Sequence, residues 1–167
     1  MYIRSFIEET ELRTKNLELY MQNKKLYQIF KNYIRGTPEK TIVKNKIFLI
    51  GFLTHAVIRG TYLNDDKIYI NTRVLKHMYD KKPAEEFDCI INHLDIIVRY
   101  PDKIYKNKKP KRGHLCFLKN IKNDNYFCSL ELDQDKLFIV TVFRVRKEKY
   151  LDDYMLLWSW EDDAPPS

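Results

Sequence analysis

The chain has 167 residues, with 30 Lys and Arg against 23 Asp and Glu, and 14% of its residues are aromatic. A chain of this length can bury enough apolar surface to fold without disulfides, and its aromatic content argues against disorder and low-complexity structure. The cysteines are odd in number and form no C-x-x-C pair, which favours a reducing, cytoplasmic location over a disulfide framework or a zinc knuckle. Charged residues near the N-terminus interrupt the apolar core that a secretory signal needs, and the longest apolar run, residues 47–53, is too short to span a bilayer. The sequence therefore predicts neither export nor a membrane anchor.

Positive charge is concentrated in residues 99–122, which hold nine basic residues and one acid and therefore carry a net +8. Residues 146–167 contain three bases and six acids, a net −3. This asymmetry favours a polyanionic partner such as RNA, because each phosphate that a cation neutralises releases condensed counterions. A lysine-rich loop that serves only solubility is the alternative.

The first predicted element is a helix over residues 5–34, whose apolar side chains recur at spacings of three and four, with a stop at Gly36. We assign residues 1–40 to a helical extension, a candidate for partner binding or homo-oligomerisation. Residues 41–70 are rich in β-branched and aromatic side chains, which predicts short strands interrupted by glycines and by a turn at residues 64–66.

Two amphipathic helices are predicted next. Asn71 is a good N-cap for a helix over residues 72–82, which a proline ends. A second helix over residues 84–98 ends at the break before Pro101, because the residue before a proline is pushed out of the helical region.

After the basic stretch the apolar period changes to 2, which is typical of strands. Three such strands, joined by short polar turns at residues 122–125 and 133–136, predict an antiparallel meander over residues 114–146. The third strand is apolar on both faces until Arg144, so we expect it in the middle of the sheet.

The end of the chain is predicted to be a helix followed by a tail. Tyr150, Tyr154 and Trp158 recur at helical spacing, and residues 161–167 form an acidic end. Residues 41–160 are therefore assigned to one folded domain. A weaker hypothesis is that the acidic tail folds over the basic segment as an internal inhibitor.

Several catalytic classes are excluded. The four scattered glycines form neither G-x-x-x-x-G-K nor G-x-G-x-x-G, and there is no H-E-x-x-H and no G-x-S-x-G, so neither a metal nor a cofactor is predicted. The remaining histidines, cations and antiparallel sheet suit metal-independent RNA cleavage, in which the 2′-hydroxyl attacks the phosphate and leaves a 2′,3′-cyclic phosphate. Tyr105 and Tyr126 are candidates to stack unpaired bases.

A family resemblance adds to this interpretation. The segments KIYINTRVLKHMYDKKP, IIVRYPDKIY and VTVFRV, with a basic loop before the last, resemble the superfamily that links barnase, EndoU, the tRNA-cleaving colicins and RelE, most closely its phage-associated branch. The resemblance covers about residues 46–160. It implies an α+β fold with helices packed on one face of an antiparallel sheet, endoribonuclease activity, and a toxin or phage-conflict role restrained by a cognate protein inhibitor.

The resemblance also indicates catalytic positions. It places Lys76 and His77 at the lysine/histidine position of the first family helix, and Thr141 and Arg144 at the hydroxyl and basic positions of the late strand. The structural alternative for His77 is a polar helix-surface residue. Because side chains alternate between the two faces of a strand, Thr141 and Arg144 lie on opposite faces unless the strand contains a bulge.

The other candidates come from the residues themselves. His93 and His114 are second partners for proton transfer, because histidine titrates near neutral pH. Eight basic residues are predicted to bind the nucleic-acid backbone: Arg99, Lys103, Lys106, Lys108, Lys109, Lys111, Arg112 and Arg146. Two other functions stay open: a non-catalytic nucleic-acid-binding module, and a protein-interaction domain that uses the N-terminal helix and the acidic end.

Overall fold

The computed structural model describes residues 25–108 and 113–163, and this part of the chain forms one sheet with helices on one face. The strands are β1 (Ile47–Phe52), β2 (Lys67–Asn71), β3 (Lys103–Asn107), β4 (Leu115–Ile121), β5 (Asp124–Asp133), β6 (Lys136–Arg144) and β7 (Tyr154–Ser159). The helices are α1 (Lys25–Tyr33), α2 (His55–Thr61), α3 (Thr72–Lys81), α4 (Ala84–Arg99) and α5 (Trp160–Asp163), with a 3-10 turn at Glu148–Leu151. The predicted α+β class is confirmed.

The described strands lie in the order β1-β2-β6-β5-β4-β3-β7, and neighbours are antiparallel except for β2 and β6, which are parallel. The predicted meander is confirmed as β4, β5 and β6, and β6 lies between β2 and β5, as expected for a central strand. Both meander turns have two-residue loops, at 122–123 and 134–135, whose residues all have positive φ. That conformation is the type I′ turn, which matches the twist of a hairpin.

The main core lies between the sheet and the helices. Ile68 and Ile70 of β2, Phe117 of β4 and Leu94 of α4 are fully buried there. The helices predicted over residues 72–82 and 84–98 are confirmed as α3 and α4.

Helix α1 contributes to this core. Leu26 and Ile29 are buried, and the Phe30 ring lies 5.6 Å from the Tyr79 ring and 5.2 Å from the Phe87 ring, centroid to centroid. The described end of the predicted N-terminal extension therefore packs against α3 and α4. The rest of that predicted helix lies outside the described residues.

Three elements differ from the prediction. Residues 55–61 form helix α2 instead of a strand, and residues 103–107 of the basic stretch form strand β3 instead of a loop. Residues 154–159 form strand β7, not a helix, and pair with β3. β7 carries a bulge at Leu157, which places Met155 and Trp158 on the same face of the strand although they are three residues apart. This three-residue spacing imitates the repeat of a helix, so the sequence predicted a helix here.

The second face of the sheet is covered over one half only. Residues 145–154 cross it, so that the Tyr154 ring lies 5.1 Å from the Phe127 ring and the Tyr150 ring lies 5.6 Å from the Phe143 ring. The other half, towards the β5–β6 turn, remains uncovered among the described residues. No described helix is long and apolar enough to cross a membrane.

Candidate active site

The uncovered half of this face contains a cavity of about 590 Å³, which we call the α3–β5 groove. Arg73 and His77 of α3 line one side of it, Glu131 and Asp133 of β5 line the other, and Phe138 of β6 lies between them. A basic wall therefore faces an acidic wall across a space large enough for a small ligand or one segment of a polymer.

The basic wall follows from the helical repeat of α3. Arg73 and His77 are four residues apart, so they lie one turn above the other on the same side of the helix, while Leu75 and Met78 are fully buried in the core. Both Arg73 and His77 are exposed, and the His77 ring makes no hydrogen bond within the described part of the chain. His77 is therefore free to bind a substrate or to exchange a proton with it.

The N-terminus of α3 is fixed at the rim of the groove. The Asn71 side-chain oxygen accepts a hydrogen bond from the Val74 amide at 2.8 Å, as the sequence predicted for this N-cap. Both residues also line the groove. The cap thus sets where the first turn of α3, and with it Arg73, projects from the sheet.

The acidic wall follows from the alternation of β5. Cys128 and Leu130 are fully buried on the helix side, so Ser129 and Glu131 point to the opposite face. Glu131 is partly exposed and lies opposite Phe138 in the β5–β6 register. A carboxylate is thereby held on a central strand in the acidic wall of the groove.

His114 lies beside the groove and is held by the backbone of β5. Its Nδ1 accepts a hydrogen bond from the Leu132 amide at 3.3 Å, and Leu132 lines the groove. Because an amide N–H can only donate, Nδ1 is unprotonated in this contact, and the neutral ring carries its proton on Nε2. His114 is therefore oriented as a hydrogen-bond donor through Nε2.

The connection between β3 and β4, residues 108–114, is rich in basic residues, and we call it the basic turn; its described ends meet at Asn107 and His114. The Asn107 amide donates to the His114 carbonyl at 3.2 Å, and Leu115 at the start of β4 pairs with Leu130 near the acidic wall. Lys106 and Lys108, at the end of β3 and just after it, are exposed. The other predicted ligands of this turn lie outside the described residues: Lys109, Lys111 and Arg112.

Lys76 does not line the groove. Its side chain is buried, and its Nζ lies 2.5 Å from Asp80 Oδ1 and donates to the Pro38 carbonyl at 2.8 Å. Burial would raise the pKa of the Asp80 carboxyl, but the hydrogen bonds from Lys76 and from the Lys40 amide outweigh it and hold that pKa below its usual value. Lys76 thus joins α3 to the segment before β1.

Thr141 and Arg144 are not brought together. A bulge at Val140 precedes both, so Thr141 points to the open face opposite Ser129, whereas Arg144 points to the helix side opposite Tyr126. The Arg144 guanidinium lies 3.6 Å from the Asp124 carboxylate at the far end of β6. Only Thr141 shares the face of the groove.

His93 and Arg146 lie on the helix side. The His93 Nδ1 is 2.8 Å from the Cys89 carbonyl oxygen, which can only accept, so Nδ1 donates in this contact. The Arg146 guanidinium donates to Glu86 Oε2 at 2.6 Å. Both side chains therefore make structural contacts away from the groove.

The remaining sequence candidates also lie apart from it. Arg99 and Lys103 are at the end of β3 opposite the basic turn, because Lys103 pairs with Leu118 near the end of β4. The two tyrosines predicted to stack bases are 9% exposed at Tyr105 and 3% exposed at Tyr126. That prediction is wrong, since a buried ring presents no face to a base.

Arg73 and Glu131 were missed, although the sequence contains a signal for each. Arg73 stands four residues before His77 in a predicted helix, and Glu131 is a charged residue at an outward position of a predicted strand. What the sequence lacks is any indication that the two elements adjoin.

Other reactive side chains are less suited to chemistry. Burial raises the pKa of the Cys116 thiol to about 12 and also raises the pKa of Cys128, so both remain protonated at neutral pH. Within residues 25–108 and 113–163, no three His, Cys, Asp or Glu side chains are grouped as a metal ion would need.

Helices on one face of a mainly antiparallel sheet, with a polar groove on the other, define an α+β protein of the kind that the sequence resemblance implies. The chain matches the family model described as phage-Barnase-EndoU-ColicinE5/D-RelE like nuclease3 over residues 52–152, about three-fifths of its length. The protein therefore belongs to this nuclease family. No curated protein and no solved structure matches the chain significantly.

Proposed function

We propose that the protein is an endoribonuclease that cleaves RNA in the α3–β5 groove without a metal ion. The observation that carries this proposal is the placement of His77 and Arg73 opposite Glu131 in one groove beside the basic turn. Phosphodiester cleavage needs a proton acceptor, a proton donor and a cation, and these three side chains supply them.

The reaction is a transesterification within the RNA. Glu131 accepts the proton of the 2′-hydroxyl as the 2′-oxygen attacks the adjacent phosphorus. The bond between phosphorus and the 5′-oxygen breaks, and the His77 imidazolium gives its proton to that oxygen. The products are a 2′,3′-cyclic phosphate and a free 5′-hydroxyl, with no net change in protons.

Arg73 and His114 stabilise the charge that develops on the phosphate. A guanidinium presents several donors to phosphate oxygens, and the Arg73 side chain lies on the same side of α3 as His77. The His114 Nε2–H adds a neutral donor from the opposite side, where the Leu132 amide fixes the ring. Such preorganised donors lower the barrier because they need no reorganisation during the reaction.

The basic turn holds the RNA backbone next to the groove. Lys106 and Lys108 are exposed at its start, and each phosphate contact adds binding free energy that falls with salt. The word phage in the family description supports a role in phage conflict, as a toxin or effector that a protein inhibitor restrains in the cytoplasm.

The direct test is cleavage of RNA in EDTA by the purified full chain and by groove variants. We expect His77→Ala and Glu131→Gln each to lower the cleavage rate by about 10²–10⁴-fold, the contribution of a general acid or base. His55→Ala is the matched control, since His55 is exposed at the start of α2 and does not line the groove.

The outcomes distinguish the alternatives. Cleavage by His77→Ala at the rate of His55→Ala would reject the assignment of the groove. Salt-dependent RNA binding by the wild-type chain without any cleavage products would instead identify a non-catalytic binding module.

A further inference from the structure

A second cavity, of about 390 Å³, lies at the other end of the sheet and on its helix side. It is bounded by the start of α2, by the turn at residues 99–102 and by Trp158 and Trp160 near the end of the described chain. The Trp160 amide donates to the Asp102 carbonyl at 2.9 Å, which ties the end of β7 to that turn. We call this the tryptophan cavity.

Trp158 forms a rigid wall of the cavity. Its ring packs so closely on Gly60 that a Cβ built there would lie 2.2 Å from the indole Cδ1, so the ring has little room to turn. The side chain is 9% exposed, and its Nε1 is buried without a hydrogen-bond partner among the described residues. Because Nε1 is inaccessible and the ring has little room to turn, Trp158 meets the cavity as an apolar wall.

The rim of the cavity is aromatic and carries a net positive charge. Trp160 and Tyr100 are 54% and 53% exposed, and the Arg99 guanidinium lies 5.5 Å from the Tyr100 ring centroid. Lys119 pairs with the Asp102 carboxylate at 3.0 Å, and Arg99 adds a further positive charge, so these three residues sum to +1. The rim can therefore receive an anion next to a flat apolar group.

We propose that the tryptophan cavity binds a single unpaired nucleotide. Its base enters the apolar cavity and stacks on Trp160 at the rim, and its phosphate binds Arg99. A nucleotide joins a planar ring, which stacks on aromatic side chains, to an anion, and this is the combination that the apolar walls and the Arg99 guanidinium favour. The same chemistry is offered by a free mononucleotide and by an unpaired nucleotide of RNA.

The site is separate from the groove and does not depend on the cleavage reaction. Trp158 and Trp160 lie beyond residue 152, where the family match ends. The groove and the tryptophan cavity lie at opposite ends of the sheet. One RNA molecule can occupy both only if it is folded and long enough to reach from β6 to β7, with one strand in the groove and an unpaired nucleotide in the cavity. The cavity would then select RNA by shape rather than by the cleaved linkage.

The protein has two tryptophans and both line this cavity, so its tryptophan fluorescence reports on the cavity alone. The full chain is titrated with adenosine, guanosine, cytidine and uridine monophosphates, with the corresponding nucleosides, and with single-stranded and duplex 2′-O-methyl oligonucleotides, which lack the attacking hydroxyl. We expect saturable quenching by nucleotides and by the single strand, weaker binding of nucleosides, and none by the duplex. Response to the single strand alone would assign the source to RNA.

Two variants test the contacts. Trp160→Ala should weaken nucleotide binding at least about fivefold by loss of stacking. Arg99→Gln is a surface change that should abolish the preference for nucleotides over nucleosides, whereas Arg35→Ala, an exposed arginine elsewhere, should preserve it.

Failure of this proposal is distinguishable from failure of the proposed cleavage. His77→Ala should retain the full fluorescence response while it loses cleavage. The proposal is overturned if no nucleotide or single strand quenches the fluorescence, or if Arg99→Gln keeps the phosphate preference. Quenching by N-acetyl-tyrosine amide but not by nucleotides would also overturn it, and would indicate a site for a protein side chain.

Discussion

Replacing Glu86 by alanine should destabilise the protein by about 2–4 kcal/mol, because this carboxylate holds the end of β6 against α4. Glu86 is 1% exposed, accepts a hydrogen bond from the Arg144 amide at 2.9 Å and accepts another from the Arg146 guanidinium at 2.6 Å. The residues that follow, 145–154, cover half of the second sheet face. Loss of the carboxylate therefore weakens the packing of residues 145–154 on the sheet as well as the attachment of the end of β6.

The expected loss in the free energy of unfolding follows from what each of the two hydrogen-bond donors to Glu86 loses. The Arg144 amide is left without its acceptor, and an unpaired buried donor costs about 1–3 kcal/mol. The Arg146 side chain is 51% exposed and regains water, so its share is smaller. Glu86→Gln keeps an oxygen for the Arg144 amide but loses the charge, and should cost about half as much as alanine.

The pH dependence gives an independent check. Burial would raise the pKa of Glu86, but the hydrogen bonds from Arg146 and Arg144 outweigh it and hold the pKa below its usual value of 4.5. A carboxyl with a lowered folded-state pKa stabilises the protein fully above the unfolded value and loses that contribution as the pH falls through the folded value. Glu86→Gln should therefore flatten the loss of stability below pH 4.5.

Urea denaturation followed by far-UV circular dichroism at pH 7 and at acid pH measures both effects. Arg146→Ala is the partner variant, and the Glu86→Ala and Arg146→Ala changes should be non-additive because the two side chains are in contact. A loss below about 0.5 kcal/mol for Glu86→Ala, or an unchanged acid slope for Glu86→Gln, would refute this account of the contact.

Three further predictions concern the groove and its supports. Asn71→Ala removes the acceptor of the Val74 amide and should lower the free energy of unfolding by about 1 kcal/mol in urea denaturation, whereas Asn71→Ser should retain most of it. Gly113→Ala places a Cβ 1.9 Å from Ser129 Oγ at a φ of +80°, and should cost at least about 1 kcal/mol in the same assay; an unchanged midpoint would contradict the geometry. Arg73→Gln should slow RNA cleavage and reduce the salt dependence of RNA binding by about one phosphate contact, measured by fluorescence anisotropy, and an unchanged slope would remove Arg73 from the substrate path.

Local signals predicted the parts of the fold that they determine. The N-cap at Asn71 and the proline after α3 define that helix, and the two-residue turns of the meander set the register of β4, β5 and β6. These features are encoded within a few residues, so the sequence alone is sufficient for them.

The misassigned elements have weak or misleading local signals. β3 has five residues in a lysine-rich stretch, with Ile104 as its only aliphatic side chain, so its alternation is hidden by charge. Helix α2 has seven residues, and its β-branched Val57 and Ile58 favour a strand; only Thr54, whose side chain accepts from the Val57 amide at 3.4 Å, signals its start. Tertiary contacts decided both cases, because β3 pairs with β4 and β7 and Val57 of α2 is buried in the core.

The groove could not be assembled from the sequence because it depends on one long-range pairing. β2 leads directly into α3 and lies parallel to β6, which brings His77 and Glu131 into the lining of one groove although 53 residues separate them in the sequence. Periodicity indicates which side of an element is buried but not which elements are neighbours. Hence the sequence grouped His77 and His114 with Arg144 and His93 as candidates, although Arg144 and His93 lie on the other face.

Substitution of a single 2′-deoxynucleotide in an RNA substrate tests the central claim most directly. The fragment ends of a cleaved oligoribonucleotide are mapped first, in EDTA, and the nucleotide 5′ to the cut is then replaced by its deoxy form. The account predicts 2′,3′-cyclic phosphate ends on the first substrate and no cleavage at that linkage in the second. Continued cleavage at the substituted linkage would contradict it, because no 2′-oxygen would be present to attack the phosphorus.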